Sequence, residues 1–119
     1  MPIIDVRPYR DALPNGDVHL KFHSFSLRER PHRANGTFAN DVFLVGPVAL
    51  AGQAPASPSI DQYAMEKMDE WLTNLTTDVS ADPMMKKIVR AKPSDLVDSC
   101  YTASGERIVE HLTHRRQVQ

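Results

Sequence analysis

The stretch Ser59 to Thr77, SIDQYAMEKMDEWLTNLTT, carries the clearest secondary-structure pattern in the chain. Ser59 and Gln62 have the spacing of a capping box at a helix start. Apolar residues then recur at the 3.6-residue period of one helix face, while charged residues fill the opposite side. These apolar residues are Ile60, Ala64, Met68, Trp71, Leu72 and Leu75. The pattern predicts an amphipathic helix that packs the core of the C-terminal half.

Shorter apolar segments on either side predict strands and a second helix. The strand candidates are Ile3 to Arg7, Asp41 to Val45 and Glu106 to Leu112, because each is short and rich in β-branched or aromatic residues. Pro83 to Ala91 predicts a helix that Asp82-Pro83 caps, with Met85, Ile88 and Val89 facing inward.

The stretch Asp17 to Arg30 fits both the alternation of a strand and the spacing of a helix. Asp17 after a glycine is a good helix N-cap, and the later residues do not alternate, so a helix is favoured. We expect Pro31 to end it, because proline disfavours helical geometry in the residue before it.

Length and composition bound the fold class and the partners. A chain of 119 residues is one domain or part of one, and residues 46–58, rich in Pro, Ala, Gly and Ser, predict an internal loop. The elements predict a mixed α/β fold with two to three helices and a few short strands. The net charge of −1 gives little support for binding nucleic acid or a membrane surface. No apolar run reaches the roughly 18 residues of a membrane span.

The N-terminus, MPIIDVRPYRD, has no signal-peptide pattern. This is expected of a cytoplasmic protein, or of a sequence that starts inside a longer precursor. The single cysteine, Cys100, has no disulfide partner within the chain. In a cytosolic protein it would be a small buried apolar residue, and in a secreted one its partner would lie elsewhere.

Polar groups are concentrated in Asn15 to Arg30, NGDVHLKFHSFSLRER. His19 and His23 would share a helix face, as zinc ligands do, but the HExxH form is absent. A third ligand would have to come from His111, His114 or a carboxylate, so we expect no metal site. Arg28 and Arg30 could bind a carboxylate or phosphate, although a solvated face with local ion pairs is the commoner arrangement.

His19 follows a glycine turn at a junction between loop and helix. A histidine held in a cleft there could relay a proton from a nucleophile, if a carboxylate fixed its tautomer. The candidate orienting carboxylates are Asp5, Asp11 and Asp17. The chain contains no G-x-S-x-G elbow to supply a serine, and Ser24 and Ser26 are expected on a helix surface. A complete triad within this chain is therefore not expected.

Five runs of this sequence resemble one bacterial family: PIIDVRPYRD, GDVHLKFHSFSLRER, ANGTFANDVFLV, MDEWLTNL and IVRAKPSDLVDSCYT. The family consists of long, mostly secreted proteins related to tannases and other α/β-hydrolases. The match extends from Pro2 to about Glu110 and corresponds to a C-terminal part of such proteins. The resemblance implies a C-terminal fragment of an α/β-hydrolase-like fold, with the nucleophile elbow and most of the sheet upstream. It also implies a partner for Cys100 in cysteine-containing sequence downstream.

In α/β-hydrolases the triad order is serine, acid, histidine, and the histidine follows the last strand and precedes the last helix. If Ile3 to Arg7 is that strand and Asp17 begins that helix, His19 takes the place of the general base. Asp5 and Asp11 would then be the local candidates for the orienting acid. The resemblance thus implies a serine-type ester hydrolase, secreted or periplasmic in the relatives, that acts on a small-molecule ester and needs no cofactor.

The expected nucleophile is not in this chain, so the chain alone is expected to be inactive. Its expected partner is the remainder of the hydrolase fold, or a second copy that pairs through exposed apolar surface. Two alternatives stay open. One is a small non-catalytic domain that binds a partner through the Phe22/Phe25 face, and the other is a truncated remnant.

Overall fold

The computed structural model describes residues 1–8, 22–47, 59–102 and 104–109. These residues form a four-stranded sheet and three helices. In chain order the elements are β1 (Ile3–Pro8), α1 (Phe22–Asn35), β2 (Asp41–Gly46), α2 (Ile60–Thr77), α3 (Met84–Ala91), β3 (Ser99–Tyr101) and β4 (Arg107–Val109). The strand order is β1-β2-β3-β4, with the first three strands parallel and β4 antiparallel to β3. The predicted mixed α/β fold is confirmed.

Strand β2 is the centre of the sheet, and all six of its residues are buried. Successive side chains of a strand point to opposite faces, so an uninterrupted apolar run requires cover on both sides. Val42 and Leu44 pack with α2, α3 and Leu96 on one face. On the other face, the rings of Phe43 and Phe25 from α1 meet edge to face at 5.3 Å. The sheet therefore lies between α1 and the α2–α3 pair.

Helix α2 begins where the sequence predicts. The Ser59 side chain accepts the backbone N–H of Gln62 at 3.0 Å, which forms half of a capping box. The Gln62 side chain donates to Glu66, so it does not form the second hydrogen bond of the capping box. Trp71 is fully buried, and its Nε1 donates to the carbonyl oxygen of Ile88 on α3 at 2.8 Å. The role of this helix in the core is confirmed.

The prediction that Leu72 belongs to the buried stripe is wrong, because Leu72 is 45% exposed. The adjacent Trp71 takes the central position against α3, and consecutive helical residues point about 100° apart. The buried stripe of α2 is therefore narrower than its apolar spacing indicates.

The predicted end of the first helix is also wrong, because Pro31 lies inside α1, which continues to Asn35. Proline removes one N–H from the helix ladder, here the donor to the carbonyl of Leu27. Leu27 is 51% exposed, so water can solvate that carbonyl. Gly36, with φ of +73°, ends the helix in a conformation that suits glycine. The predicted start at Asp17 lies outside the described residues.

The remaining boundaries differ from the predictions by a few residues. Strands β1 and β2 are confirmed and extend one residue further, to Pro8 and Gly46. Pro83 is the N-cap of α3 rather than its first residue, and Ile88 is buried as predicted. The predicted strand from Glu106 is present as β4, whereas its end at Leu112 and the loop segment 48–58 lie outside the described residues. None of the described helices is long and apolar enough to cross a membrane.

Candidate functional site

A buried cluster of charges lies between α1 and the sheet. Its centre is Arg28, which is 4% exposed. Nη1 and Nη2 of Arg28 donate to the two carboxylate oxygens of Asp98, at 2.7 and 2.9 Å. Nε donates to Oδ2 of Asp41 at 3.2 Å, and Nη2 also donates to the Asp41 backbone oxygen at 3.1 Å. The two-pronged contact with Asp98 is the strong arginine–carboxylate geometry.

Aromatic rings enclose the same guanidinium. Cζ of Arg28 lies 3.5 Å from the ring centroid of Phe43 and 5.0 Å from that of Phe38. The backbone N–H of Phe43 donates to Oδ1 of Asp98 at 2.9 Å, so this carboxylate also bonds to the central strand. Stacking on aromatic faces favours arginine over lysine at such a position.

Among the residues that the structure describes, the cluster holds one guanidinium and two carboxylates. Burial lowers the pKa of Arg28, but the hydrogen bonds and charges of Asp98 and Asp41 outweigh it, so this pKa lies above its ordinary value. Burial raises the pKa of Asp41, the charge of Arg28 offsets part of the rise, and the charges of Asp5 and Asp98 add to it. Oδ1 of Asp41 is buried without a hydrogen-bond partner among the described residues. Asp41 is therefore the less well paired carboxylate.

The cluster is a structural clamp rather than an anion-binding site, because its guanidinium is already engaged by carboxylates. The prediction of a solvated face is wrong for Arg28, while Arg30 on the same helix is exposed. Asp41 begins β2, and Asp98 comes directly before β3. Both lie at the amino ends of parallel strands, whereas ligands of such sheets bind beyond the carboxyl ends.

A cavity of about 320 Å³ lies beside this clamp, with Phe38, Asp41, Lys92 and Asp98 in its wall. Nζ of Lys92 donates to the backbone oxygen of Ala39 at 3.2 Å. No group of three or more His, Cys, Asp or Glu side chains among the described residues could hold a metal ion.

Of the candidate catalytic residues Asp5, Asp11 and His19, the structure describes only Asp5. It lies in β1, half-buried, and accepts Nε of Arg7 at 2.9 Å. Asp11, Asp17, His19, His111 and His114 lie outside the described residues, so their predicted roles stay predictions. His23 and Ser24 are in the first turn of α1, and Ser26 is exposed there.

One premise of the histidine assignment is wrong. Strand β1 is not the last strand, because β2 and β3 follow it as further parallel strands of the same sheet. Helix α1 is therefore a crossover between β1 and β2 rather than a final helix. In the serine, acid, histidine order, a strand with parallel strands after it fits the acid, so the position of β1 does not support His19 as the base. The sequence between Pro8 and α1 contains a candidate acid, Asp11, and a candidate base, His19.

The carboxyl ends of β2 and β3 lie close together beneath the start of α2. A Cβ added to Gly46 would collide with Cδ1 of Ile60 and come within 3.9 Å of Cβ of Tyr101. Burial raises the pKa of the Tyr101 hydroxyl. The neighbouring Cys100 is half-buried and forms no disulfide.

Sequence reasoning missed Asp98 and the burial of Arg28. The sequence carries a weak signal for the burial of Arg28, because Arg28 follows the core-facing Phe25 by three residues and so shares its helix face. Nothing in the sequence links either residue to Asp98, which lies 70 positions further along the chain.

Comparison with known proteins identifies the family of this chain. No curated protein and no solved structure matches it. The sequence model of one protein family matches residues 1–119, the whole chain. The chain therefore belongs to the tannase-like family of unknown function (DUF6351).

Proposed function

We propose that this chain is the C-terminal part of a tannase-related serine ester hydrolase and supplies the general base, His19. Membership of a tannase-like family over the whole chain carries this proposal. A sheet whose first three strands are parallel, with Asp11 and His19 in the sequence after the carboxyl end of β1, supports it. The substrate class is a small-molecule ester, and the reaction needs no cofactor.

In the proposed reaction the imidazole of His19 takes the proton of a serine hydroxyl as the serine oxygen attacks the ester carbonyl. The C–O bond to the alcohol then breaks, the imidazolium returns its proton to the departing alcohol, and an acyl-enzyme remains. Water activated by the same histidine hydrolyses the acyl-enzyme. Since the 119 residues contain no G-x-S-x-G elbow, the serine would come from a separate nucleophile-bearing segment.

Asp11 fits the orienting acid better than Asp5 does. Asp5 lies three residues before Pro8, the last residue of β1, which is about 10 Å from the strand end at the rise of a β-strand. Its carboxylate also accepts Nε of Arg7. Asp11 follows β1 in the sequence, and parallel sheets bind ligands beyond the carboxyl ends of their strands.

The alternative of a non-catalytic binding domain needs an exposed Phe22/Phe25 face. Phe25 of the Phe22/Phe25 face is half-buried and contacts the ring of Phe43. The hydrolase proposal is therefore the one we carry forward.

The test uses p-nitrophenyl acetate and butyrate. The 119-residue chain alone should show no turnover above a blank. In a longer protein that joins this chain to a nucleophile-bearing segment, His19→Ala should lower kcat/KM by about 10²–10⁴-fold. The matched control is His32→Ala, a histidine exposed on α1, which should leave kcat/KM unchanged.

Two results would remove His19 from the mechanism. One is a loss smaller than about tenfold in the longer protein, because general base catalysis contributes more. The other is turnover by the chain alone that survives His19→Ala. Asp11→Asn should reduce kcat/KM more than Asp5→Asn does, and the reverse order would assign the orienting role to Asp5.

A further inference from the structure

Helix α2 keeps apolar side chains exposed on one of its sides. Met65 is 74% exposed and Leu72 is 45% exposed. Seven positions separate them, which is nearly two helical turns, so they lie on the same side of the helix. Met68, between them in the sequence, is half-buried and belongs to the same side. We call Met65, Met68 and Leu72 the outer stripe of α2.

The outer stripe faces away from α3. Asn74 marks the flank of α2 that meets α3, because its Nδ2 donates to the backbone oxygen of Ala91 at 3.1 Å. At about 100° per helical residue, Met65 points about 180° and Leu72 about 160° away from Asn74. The sheet covers a further side, where α2 contacts β1 and β2. Helix α3 therefore covers one flank of α2, and the outer stripe lies on the opposite flank.

Asp61 and Asp69 border the outer stripe, four positions before and four positions after Met65. Neither side chain forms a hydrogen bond or ion pair within the part of the chain that the structure describes. By contrast, Lys67 and Glu70 of the same helix pair at 2.7 Å. An acid in the first turn suits the helix start, which accounts for Asp61 but not for Asp69 in the middle of α2. The outer stripe thus combines exposed apolar surface with uncompensated negative charge.

We propose that the outer stripe binds an amphipathic helix of the nucleophile-bearing segment, with lysine or arginine opposite Asp61 and Asp69. An apolar stripe at helical spacing is complementary to that of a second helix, and its acidic border selects basic residues along the edge of that helix. The source of the helix rests on the proposed function, in which this chain is one part of a longer α/β sheet. Helices of such a sheet form a layer over its face, and a helix on the free flank of α2 continues the layer of α2 and α3.

The test measures how fast each methionine is oxidised by hydrogen peroxide, followed by mass spectrometry. Peroxide transfers one oxygen to the methionine sulfur and leaves water, so the rate reports access to that sulfur. In the 119-residue chain alone, Met65 and Met84, which are 74% and 62% exposed, should react at similar rates. In the longer protein that joins this chain to the nucleophile-bearing segment, Met65 should react at least about tenfold more slowly, because the docked helix excludes peroxide. Met84, on α3 and outside the outer stripe, is the internal control and should keep its rate.

Charge reversal tests the basic character of the partner. In the longer protein, Asp61→Lys/Asp69→Lys should return the Met65 rate to within about threefold of that in the chain alone, because like charges then meet. Circular dichroism and Trp71 fluorescence should stay unchanged, which separates undocking from unfolding. The matched control is Glu106→Lys, which reverses an exposed acid outside α2 and should leave Met65 protected.

Synthetic peptides test the same chemistry on the 119-residue chain without the segment. One peptide of about 18 residues carries leucine at i, i+3, i+4 and i+7 with lysine on both flanks, and the other has glutamate in place of lysine. The lysine peptide should protect Met65 and the glutamate peptide should not. In Asp61→Lys/Asp69→Lys the order of the two peptides should reverse.

Three outcomes would overturn the proposal. The first is a Met65 that reacts as fast in the longer protein as in the chain alone. The second is protection that the charge reversal leaves unchanged, because the partner would then not be basic. The third is protection in the chain alone that grows with its concentration, which would assign the outer stripe to a second copy. Ester turnover plays no part in these measurements, so a failure of the proposed hydrolase activity is seen separately.

Discussion

Nη1 of Arg28 lies 2.7 Å from Oδ2 of Asp98, although 70 positions separate the two residues along the chain. The contact attaches α1 to the residue that precedes β3. Among the described apolar side chains of α1, Leu27 is 51% exposed and Phe25 is only half-buried. The buried ion pair therefore helps to hold α1 against the sheet.

Removal of this arginine should destabilise the fold. Arg28→Ala removes the guanidinium that Asp41 and Asp98 share, and breaking a buried ion pair costs about 3–5 kcal/mol of unfolding free energy. Arg30→Ala, on the same helix but exposed, should change it by less than about 0.5 kcal/mol. Urea unfolding followed by circular dichroism measures both. Equal effects of the two substitutions would mean that the clamp does not hold α1.

The pKa of Asp41 predicts a dependence of stability on pH. Burial raises this pKa above its ordinary value of 3.8, so the folded state binds the proton more tightly than the unfolded state. The stabilising contribution is present at low pH and is lost as the pH rises through the folded pKa. The unfolding free energy of the parent chain minus that of Asp41→Asn should therefore fall as the pH rises above 3.8. A difference that stays constant or rises would contradict the poor pairing of this carboxylate.

Asp78 should behave in the opposite way. The Ser80 side chain and Arg90 lower its pKa from 3.8 to about 2. Its contribution is present above the unfolded pKa and is lost as the pH falls toward the folded value. Comparison with Asp78→Asn in the same titration should show a loss confined to the acid side of 3.8. A loss on the alkaline side would show that another group causes the change.

Trp71 should be the costliest single truncation in α2. Its side chain is fully buried, and its Nε1 bonds to Ile88, so Trp71→Ala should cost about 3–5 kcal/mol. The neighbouring Leu72→Ala should cost far less, because Leu72 is 45% exposed. Thermal and urea unfolding of both variants provide the measurement. A small effect of Trp71→Ala would place the main core elsewhere in the chain.

Gly46 should tolerate no larger residue unless Ile60 is shortened. A Cβ at this position collides with Cδ1 of Ile60, and overpacking of this kind costs about 1–3 kcal/mol. Ile60→Val removes that methyl group, so the double variant Gly46→Ala/Ile60→Val should lose less stability than the sum of the single changes. Strict additivity would show that the two positions do not interact.

The sequence by itself determined the elements whose signals are local. The Ser59 cap, the spacing of Trp71 and the other stripe residues, and the short β-branched runs of β1 and β2 lie within one turn or a few residues. Hydrogen bonding and apolar periodicity at that range depend on neighbouring residues alone. The mixed α/β class followed from them, and the family resemblance needed only the order of residues.

Only the tertiary structure decided what depends on distant contacts. Arg28 is buried because Asp41 and Asp98, 13 and 70 positions away, meet it on a sheet that the chain must first assemble. Helix α1 continues past Pro31 because water can solvate the carbonyl of Leu27, and Leu72 is exposed because Trp71 takes the central position against α3. Strand order likewise placed β2 and β3 after β1 in the same sheet, so β1 is not its last strand, since pairing joins residues that no local pattern connects.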